Sequence, residues 1–236
     1  MKRLRTGKPL GLLDSVWRVP VVGLLVVLCL IDPAYAAPTQ TWIQGTNYDV
    51  IDPPQPTASS ANKIEVIEFF GYWCPHCRDF EPSLESWSNG IAADVALVRI
   101  PVVWGAEKRT RQFATFYYTL LALDRLDLHH AFFNAIYLAK KSDTGSLQSF
   151  EKQRAFVVAH GVPAGKFEAL YRSPAVLRAV DQAAAMTDEY KVIATPTIAI
   201  QGMYRTDPTQ VQGGWVEFLS LMDYLIARVR SSSGHA

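Results

Sequence analysis

The sequence predicts an α/β fold interrupted by an inserted all-helical domain, and three observations carry that reading. An apolar strand, Ile64-Glu65-Val66-Ile67-Glu68-Phe69-Phe70, feeds a helix opening at Cys74, and a second strand, Ala96 to Val103, follows. Strand, helix and strand in that order form a crossover unit whose two strands run parallel. A largely helical pattern then runs from Ala106 to about Tyr190, before a hairpin and a closing helix. The expected organisation is therefore 37–105 and 191–236 as the α/β part, 106–190 as the helical insertion, and 1–36 as a segment removed before folding.

That first segment has the three parts of a secretory signal. Lys2, Arg3, Arg5 and Lys8, then Arg18, precede the uncharged run Val19 to Ile31, and Ala34-Tyr35-Ala36 supplies a small-residue cleavage site. A spanning helix needs about 20 apolar residues, and this run is shorter and contains Pro20 and Gly23. Cleavage is expected after Ala36, which removes Cys29 and leaves Cys74 and Cys77 as the cysteines of the mature chain. The whole chain carries a formal charge of +1; the signal holds five basic and two acidic residues, so its loss leaves −2. A nucleic-acid partner would call for a basic face, and none is expected.

Past the signal, Thr41-Trp42-Ile43 with Tyr48-Asp49-Val50-Ile51 supplies a short leading strand, and Asp52 to Asn62 reads as a Pro/Ser/Ala-rich connector. The strand Ile64 to Phe70 has apolar residues on both faces, which suits a central strand covered from both sides. In the helix from Cys74 to Ser88, Phe80, Leu84 and Trp87 form a buried stripe, Pro82 predicts a kink, and Asn89-Gly90 a stop. Phe113, Phe116, Tyr117, Leu120 and Leu121 follow helical spacing, as do Phe132, Phe133, Ile136 and Tyr137. Gly145-Ser146 breaks the pattern, Phe150 to His160 resumes it, and Gly161 sits where a helix C-cap belongs. Ser173-Pro174 opens the last inserted helix as N-cap and first helical residue. Thr197 to Ile200, the turn Gln201-Gly202 and Met203 to Arg205 read as a hairpin, and Trp215 to Arg230 as an amphipathic helix with Phe218, Leu219, Met222, Leu225 and Ile226 on one face.

The chemistry centres on Cys74-Pro75-His76-Cys77 at the strand-to-helix junction. Two cysteines two residues apart close a loop too short to staple a fold, so the pair reads as a thiol-disulfide redox site. Cys74 lies at the helix N-terminus, where unpaired N–H groups and the dipole favour a thiolate, and His76 adds a donor or positive charge. Cys77 lies one turn further in. Glu68, an acid in an apolar strand, is expected to be buried with a raised pKa suited to proton exchange. Pro196, in Ala194-Thr195-Pro196-Thr197, precedes a strand; trans is the common state of such a bond, while a cis bond would bring Thr195 near the cysteines. His129 and His130 read as surface or helix-start residues, His160 as a helix end, His235 as tail. Tyr72 and Trp73 read as core aromatics or part of an apolar substrate surface, and Glu107-Lys108-Arg109 as a solvated helix start.

Together the signal, the strand Val66 to Phe70, the CPHC, the helical insertion and Thr195-Pro196-Thr197 resemble the bacterial periplasmic DsbA family of thiol-disulfide oxidases, from about Thr41 to Arg230. The resemblance implies a thioredoxin-like fold with a helical insertion, Cys74 as nucleophile, Cys77 as partner, Glu68 as the buried acid, and Pro196 as a cis proline that binds substrate with Thr195. It implies a monomeric periplasmic enzyme without cofactor, acting on reduced exported polypeptides and reoxidised by a quinone-linked membrane partner of the DsbB type. The threonine at 195 departs from the valine of the best-studied oxidases. Three other readings compete. An isomerase of this compartment adds an N-terminal dimerisation domain, for which Ala37 to Lys63 is too short, and a reductive thioredoxin prefers Gly-Pro between its cysteines. A metal site built from the pair with His76 or His129-His130 lacks a convergent ligand set, since adjacent histidines on a helix do not face one point. A binding-only module would need no reactive Cys74.

Overall fold

The computed structural model describes residues 40–60, 62–139 and 147–232. The expected signal segment, Cys29, the Gly145-Ser146 break and His235 lie outside those residues. A five-stranded sheet forms the centre: β1 (Asp49–Val50), β2 (Ile64–Phe70), β3 (Val95–Pro101), β4 (Thr197–Ile200) and β5 (Tyr204–Thr206), ordered β1-β5-β4-β2-β3. β2 pairs parallel with β3 and antiparallel with β4, and all seven of its residues are buried. The expected parallel crossover is present, with α1 (Pro75–Gly90) as its helix.

Side-chain alternation along β2 decides what each face meets. Val66 belongs to a core with Phe80 and Leu84 of α1 and with Phe218, Met222 and Leu225 of α7 (Trp215–Ser232). Ile67 and Phe69 point the other way and pack with Ala114 of α2 (Lys108–Ala122) and with Val180 and Ala183 of α6 (Pro174–Glu189). Each large side chain so buried contributes about 1.5–3 kcal/mol relative to exposure. Glu68 is two residues beyond Val66, so it faces α1, the helix that carries the cysteines.

α2, α3 (Leu128–Ala139), α4 (Phe150–Ala159), α5 (Ala164–Tyr171) and α6 all fall between β3 and β4. Their aromatic core of Phe113, Phe116, Phe132, Phe133 and Phe167 is continuous with Phe70, Tyr72 and both cysteines. The caps read from sequence are formed. The Ser173 hydroxyl accepts from Val176 N at 3.3 Å, and Gly161 takes φ +83°, letting Val162 N donate to Val157 O.

Several boundaries differ from the sequence reading: the leading strand is Asp49–Val50 alone, β5 lies one residue later than expected, and α7 continues to Ser232. α1 runs unbroken past Pro82 and through Asn89-Gly90, ending where Ile91 turns extended. β3 ends at Pro101, although Val102 N still donates to Phe70 O. The hairpin turn places Gln201 at φ +53° and Gly202 at φ +63°. A Cβ at Gly202 would lie 2.0 Å from Gln55 O, so only glycine fits there.

Candidate active site

β2 hands the chain to α1 through Gly71-Tyr72-Trp73, a turn closed by Cys74 N donating to Gly71 O at 2.9 Å. A side chain at Gly71 would collide with the Trp73 ring 2.7 Å away. Cys74 is the N-cap of α1 and offers no side-chain cap, and Pro75 follows at the first helical position. The first-turn N–H groups are thus left for the sulfur, which is the arrangement that favours negative charge.

Both cysteines are free thiols, and their surroundings differ sharply. The Cys74 pKa is lowered to about 5, chiefly by the Cys77 thiol and, against an opposing effect of burial, by the Thr195 side chain and the N–H groups of Cys77 and His76. Its thiol also donates to the Thr195 carbonyl at 3.0 Å. His76 therefore acts on Cys74 through its backbone; its ring, like Pro75, is exposed. Cys77 is fully buried, and burial, followed by the neighbouring Cys74, pushes its pKa well above that of an ordinary thiol. Thr195-Pro196 is a cis peptide, as the resemblance implied, and it faces the cysteines through that Thr195 carbonyl.

Beneath Cys77 lies a buried polar cluster. Glu68 is fully buried, and burial, then the charge of Glu81, lifts its pKa to about 8. Strand pairing sets Arg99 directly beside Glu68, with Nε 3.3 Å from Glu68 Oε2. Arg99 Nη2 donates to Glu81 Oε1 at 2.7 Å. Burial opposes a charged Glu81, but the facing His129 and Arg99 outweigh it and hold the carboxyl below its ordinary range.

The structure corrects the reading of His129. It does start a helix, as the second residue of α3, but it is 4% exposed. Its ring sits among those of Phe70, Tyr72, Tyr117 and Phe133, because the first turn of α3 packs over α1. Tyr72 is core, 0% exposed, whereas Trp73 is half-buried beside Trp104 and the Arg109 guanidinium. Near the cysteines, the Tyr137 hydroxyl donates to Trp73 O at 3.0 Å and Arg78 covers the Tyr137 ring. Ile193, two residues before Thr195, is 89% exposed. Sequence reasoning missed Glu81 and Arg99; the signal for Glu81 was its place one helical turn beyond Cys77.

Among the described residues no set of three or more His, Cys, Asp or Glu side chains is placed to hold a metal ion, and no helix is long and apolar enough to cross a membrane. A reactive thiol at the helix start, a shielded thiol behind it and a proton-holding carboxyl below can carry thiol-disulfide exchange.

Comparison with known proteins agrees. The thioredoxin family pattern matches residues 58–214. The thiol:disulfide interchange protein DsbA of Bordetella parapertussis is 34% identical over 193 residues, covering 80% of this chain and 88% of that protein. The corresponding Pseudomonas aeruginosa protein is 33% identical over 198 residues, covering 84% and 90%. The crystal structure of Pseudomonas aeruginosa DsbA superposes with a TM-score of 0.74 at 34% identity, over 82% of this chain and 97% of that one. The Xylella fastidiosa DsbA structure does so with a TM-score of 0.69 at 32% identity, over 78% and 96%. With the cysteine pair at the start of α1, the cis-proline loop before β4 and the buried acid on β2, this chain belongs to the DsbA family of thiol-disulfide oxidoreductases.

Proposed function

We propose that the protein is an exported disulfide oxidase that donates the Cys74-Cys77 disulfide to reduced exported polypeptides. The observation that carries this reading is the asymmetry of the pair: Cys74 caps the start of α1 against the Thr195-Pro196 loop while Cys77 is fully buried, which lowers the Cys74 pKa to about 5 and raises that of Cys77 far above the ordinary value. A disulfide has no thiolate to stabilise, so an environment that favours the Cys74 thiolate favours the reduced enzyme and makes the oxidised one a strong oxidant. A substrate thiolate attacks Cys74 Sγ, the S–S bond to Cys77 breaks, and Cys77 takes a proton. A second substrate thiolate then attacks the mixed disulfide and leaves as the substrate disulfide, with Cys74 departing as thiolate. Two electrons pass to the enzyme; Cys77 carries a proton drawn from within the site, and the two protons of the substrate thiols are released.

Glu68 is the proton partner of Cys77 in this scheme, giving its proton as the disulfide opens and taking it back when it re-forms. Thr195 and Pro196 hold the substrate chain beside Cys74, with Pro75 and His76 at the exposed helix start. The N-terminal segment 1–36 is removed on export to the periplasm, and 106–190 is a helical insertion into a thioredoxin-like unit of 37–105 and 191–236. The mature protein works as a monomer without cofactor, and a membrane quinone-linked partner of the DsbB type restores the disulfide.

Cys77→Ala tests the assignment of the two sulfurs. Incubated with an oxidised polypeptide, this variant is expected to accumulate a one-to-one adduct at Cys74 that mass spectrometry detects and a reductant dissolves, whereas the wild-type adduct decays. If no adduct formed, Cys74 would not be the nucleophile; if the wild-type adduct persisted equally, Cys77 would not resolve it.

A further inference from the structure

Glu68 reaches the outside of the molecule through three side chains supplied by three elements. Arg99 of β3 lies against Glu68 and donates to Glu81 of α1. The second oxygen of Glu81, Oε2, faces His129 Nε2 of α3 at 3.5 Å, and among the described residues neither atom has a hydrogen-bond partner. His129 Nδ1 meets the Tyr72 hydroxyl at 2.7 Å. On its far side, the cluster borders a polar cleft of about 230 Å³ whose walls include Glu81, Arg99, Tyr117 and His129.

The tautomer of His129 follows from its neighbours. Glu81 Oε2 can only accept and faces Nε2, which places the ring proton there, so the Tyr72 hydroxyl is the donor to Nδ1. Nδ1 then carries a lone pair, and the ring proton is on Nε2, aimed at Glu81. Burial, against the pull of Glu81, keeps the ring neutral. A neutral imidazole thus presents an N–H to Glu81 Oε2, while Oε1 has Arg99. The other titratable or charged groups around His129 are Tyr117 on α2, Arg99 on β3 and its neighbour His130, with Glu85 and Asp127 on the cleft wall.

We propose that His129, acting through Glu81 and Arg99, is a positioning residue that holds the proton on Glu68 between turnovers. The Nε2–H keeps Glu81 ionised; ionised Glu81 engages Arg99 and repels charge on Glu68, so Glu68 remains a protonated donor ready for Cys77. Without the facing N–H of His129, Glu81, a buried carboxyl, loses that favourable electrostatic neighbour and takes up a proton, and Arg99 turns its charge to Glu68, which then ionises. Because α3 supplies the histidine and the sheet with α1 supplies everything else, the docking of the inserted helices tunes the proton chemistry of the cysteine pair. This deepens the assignment of Glu68 as proton partner of Cys77 and rests on it.

The test is an infrared titration of the oxidised protein, reading the carbonyl band of a protonated buried carboxyl group and assigning it by its loss in Glu68→Gln. In His129→Phe the midpoint of that band is expected to fall by at least one pH unit, about tenfold in proton concentration. Glu81→Gln moves it the same way and serves should His129→Phe not fold, while His129→Gln, which keeps an N–H donor, restores most of the midpoint. A midpoint unchanged in both His129→Phe and Glu81→Gln, with the band still lost in Glu68→Gln, overturns the role of His129 and leaves Glu68 standing. A band absent from the wild type, or untouched by Glu68→Gln, overturns both.

Discussion

Replacing Cys74 with serine is expected to abolish disulfide transfer, a rate loss of at least about 10³-fold, and to remove a large pH-dependent contribution to the stability of the reduced protein. The first effect follows from chemistry, since a hydroxyl forms no disulfide and ionises far above working pH. The second follows from linkage. In the fold the Cys74 thiol ionises at about 5, against 9.0 for the ordinary group. Between those values the folded protein has released a proton that the unfolded chain still holds, so stability rises with pH, is complete above pH 9, and is lost as pH falls through 5. Allowing for partial solvent contact at the sulfur, the rise amounts to about 2–3 kcal/mol. Chemical denaturation of the reduced proteins at pH 5, 7 and 9 checks it: the wild type gains on Cys74→Ser as pH rises. Parallel stability curves for the two proteins would show that the fold does not stabilise the thiolate.

Glu68→Gln is expected to act with the opposite sign. Glu68 keeps its proton in the fold up to a pH of about 8, whereas an ordinary carboxyl loses it near 4.5. Across that interval the folded state binds the extra proton, so stability falls as pH rises. Glutamine keeps the size of the side chain and stays neutral, leaving Arg99 its bond to Glu81. In the oxidised protein, where no Cys74 thiolate contributes, Glu68→Gln should match the wild type near pH 4.5 and exceed its stability at pH 8 by on the order of 2–4 kcal/mol. Formation of the enzyme disulfide at neutral pH should slow by about 10²-fold, as Cys77 loses its proton acceptor. A variant less stable than wild type at pH 8 would mean that Glu68 is ionised and paired with Arg99, contrary to this account.

Local signals made the frame and the cysteine pair legible in the sequence. β2 is an unbroken apolar run, the cysteines stand at its junction with α1, and Ser173, Gly161 and Gln201-Gly202 carry their cap and turn chemistry in their side chains or backbone freedom. Glu68 was readable for the same reason, as a charge where only apolar residues belong. Arg99 became a partner only through the register of β2 on β3, which no local pattern encodes. His129 was harder still: a histidine at the start of a helix ordinarily faces water, and only the packing of α3 over α1 buries it against Glu81 and Tyr72. Glu65, which accepts from Ala58 N, Ser59 N and Ser59 Oγ through one oxygen and so pins the connector, was equally invisible.

A fold that stabilises the Cys74 thiolate makes the disulfide oxidising. Thiolate absorbance of the reduced protein against pH, combined with the redox equilibrium against glutathione, tests it most directly. The expected result is a Cys74 midpoint near 5 and a disulfide that glutathione reduces readily. A midpoint near that of a free thiol, with a disulfide that glutathione cannot reduce, would contradict it and leave a reductase in place of an oxidase.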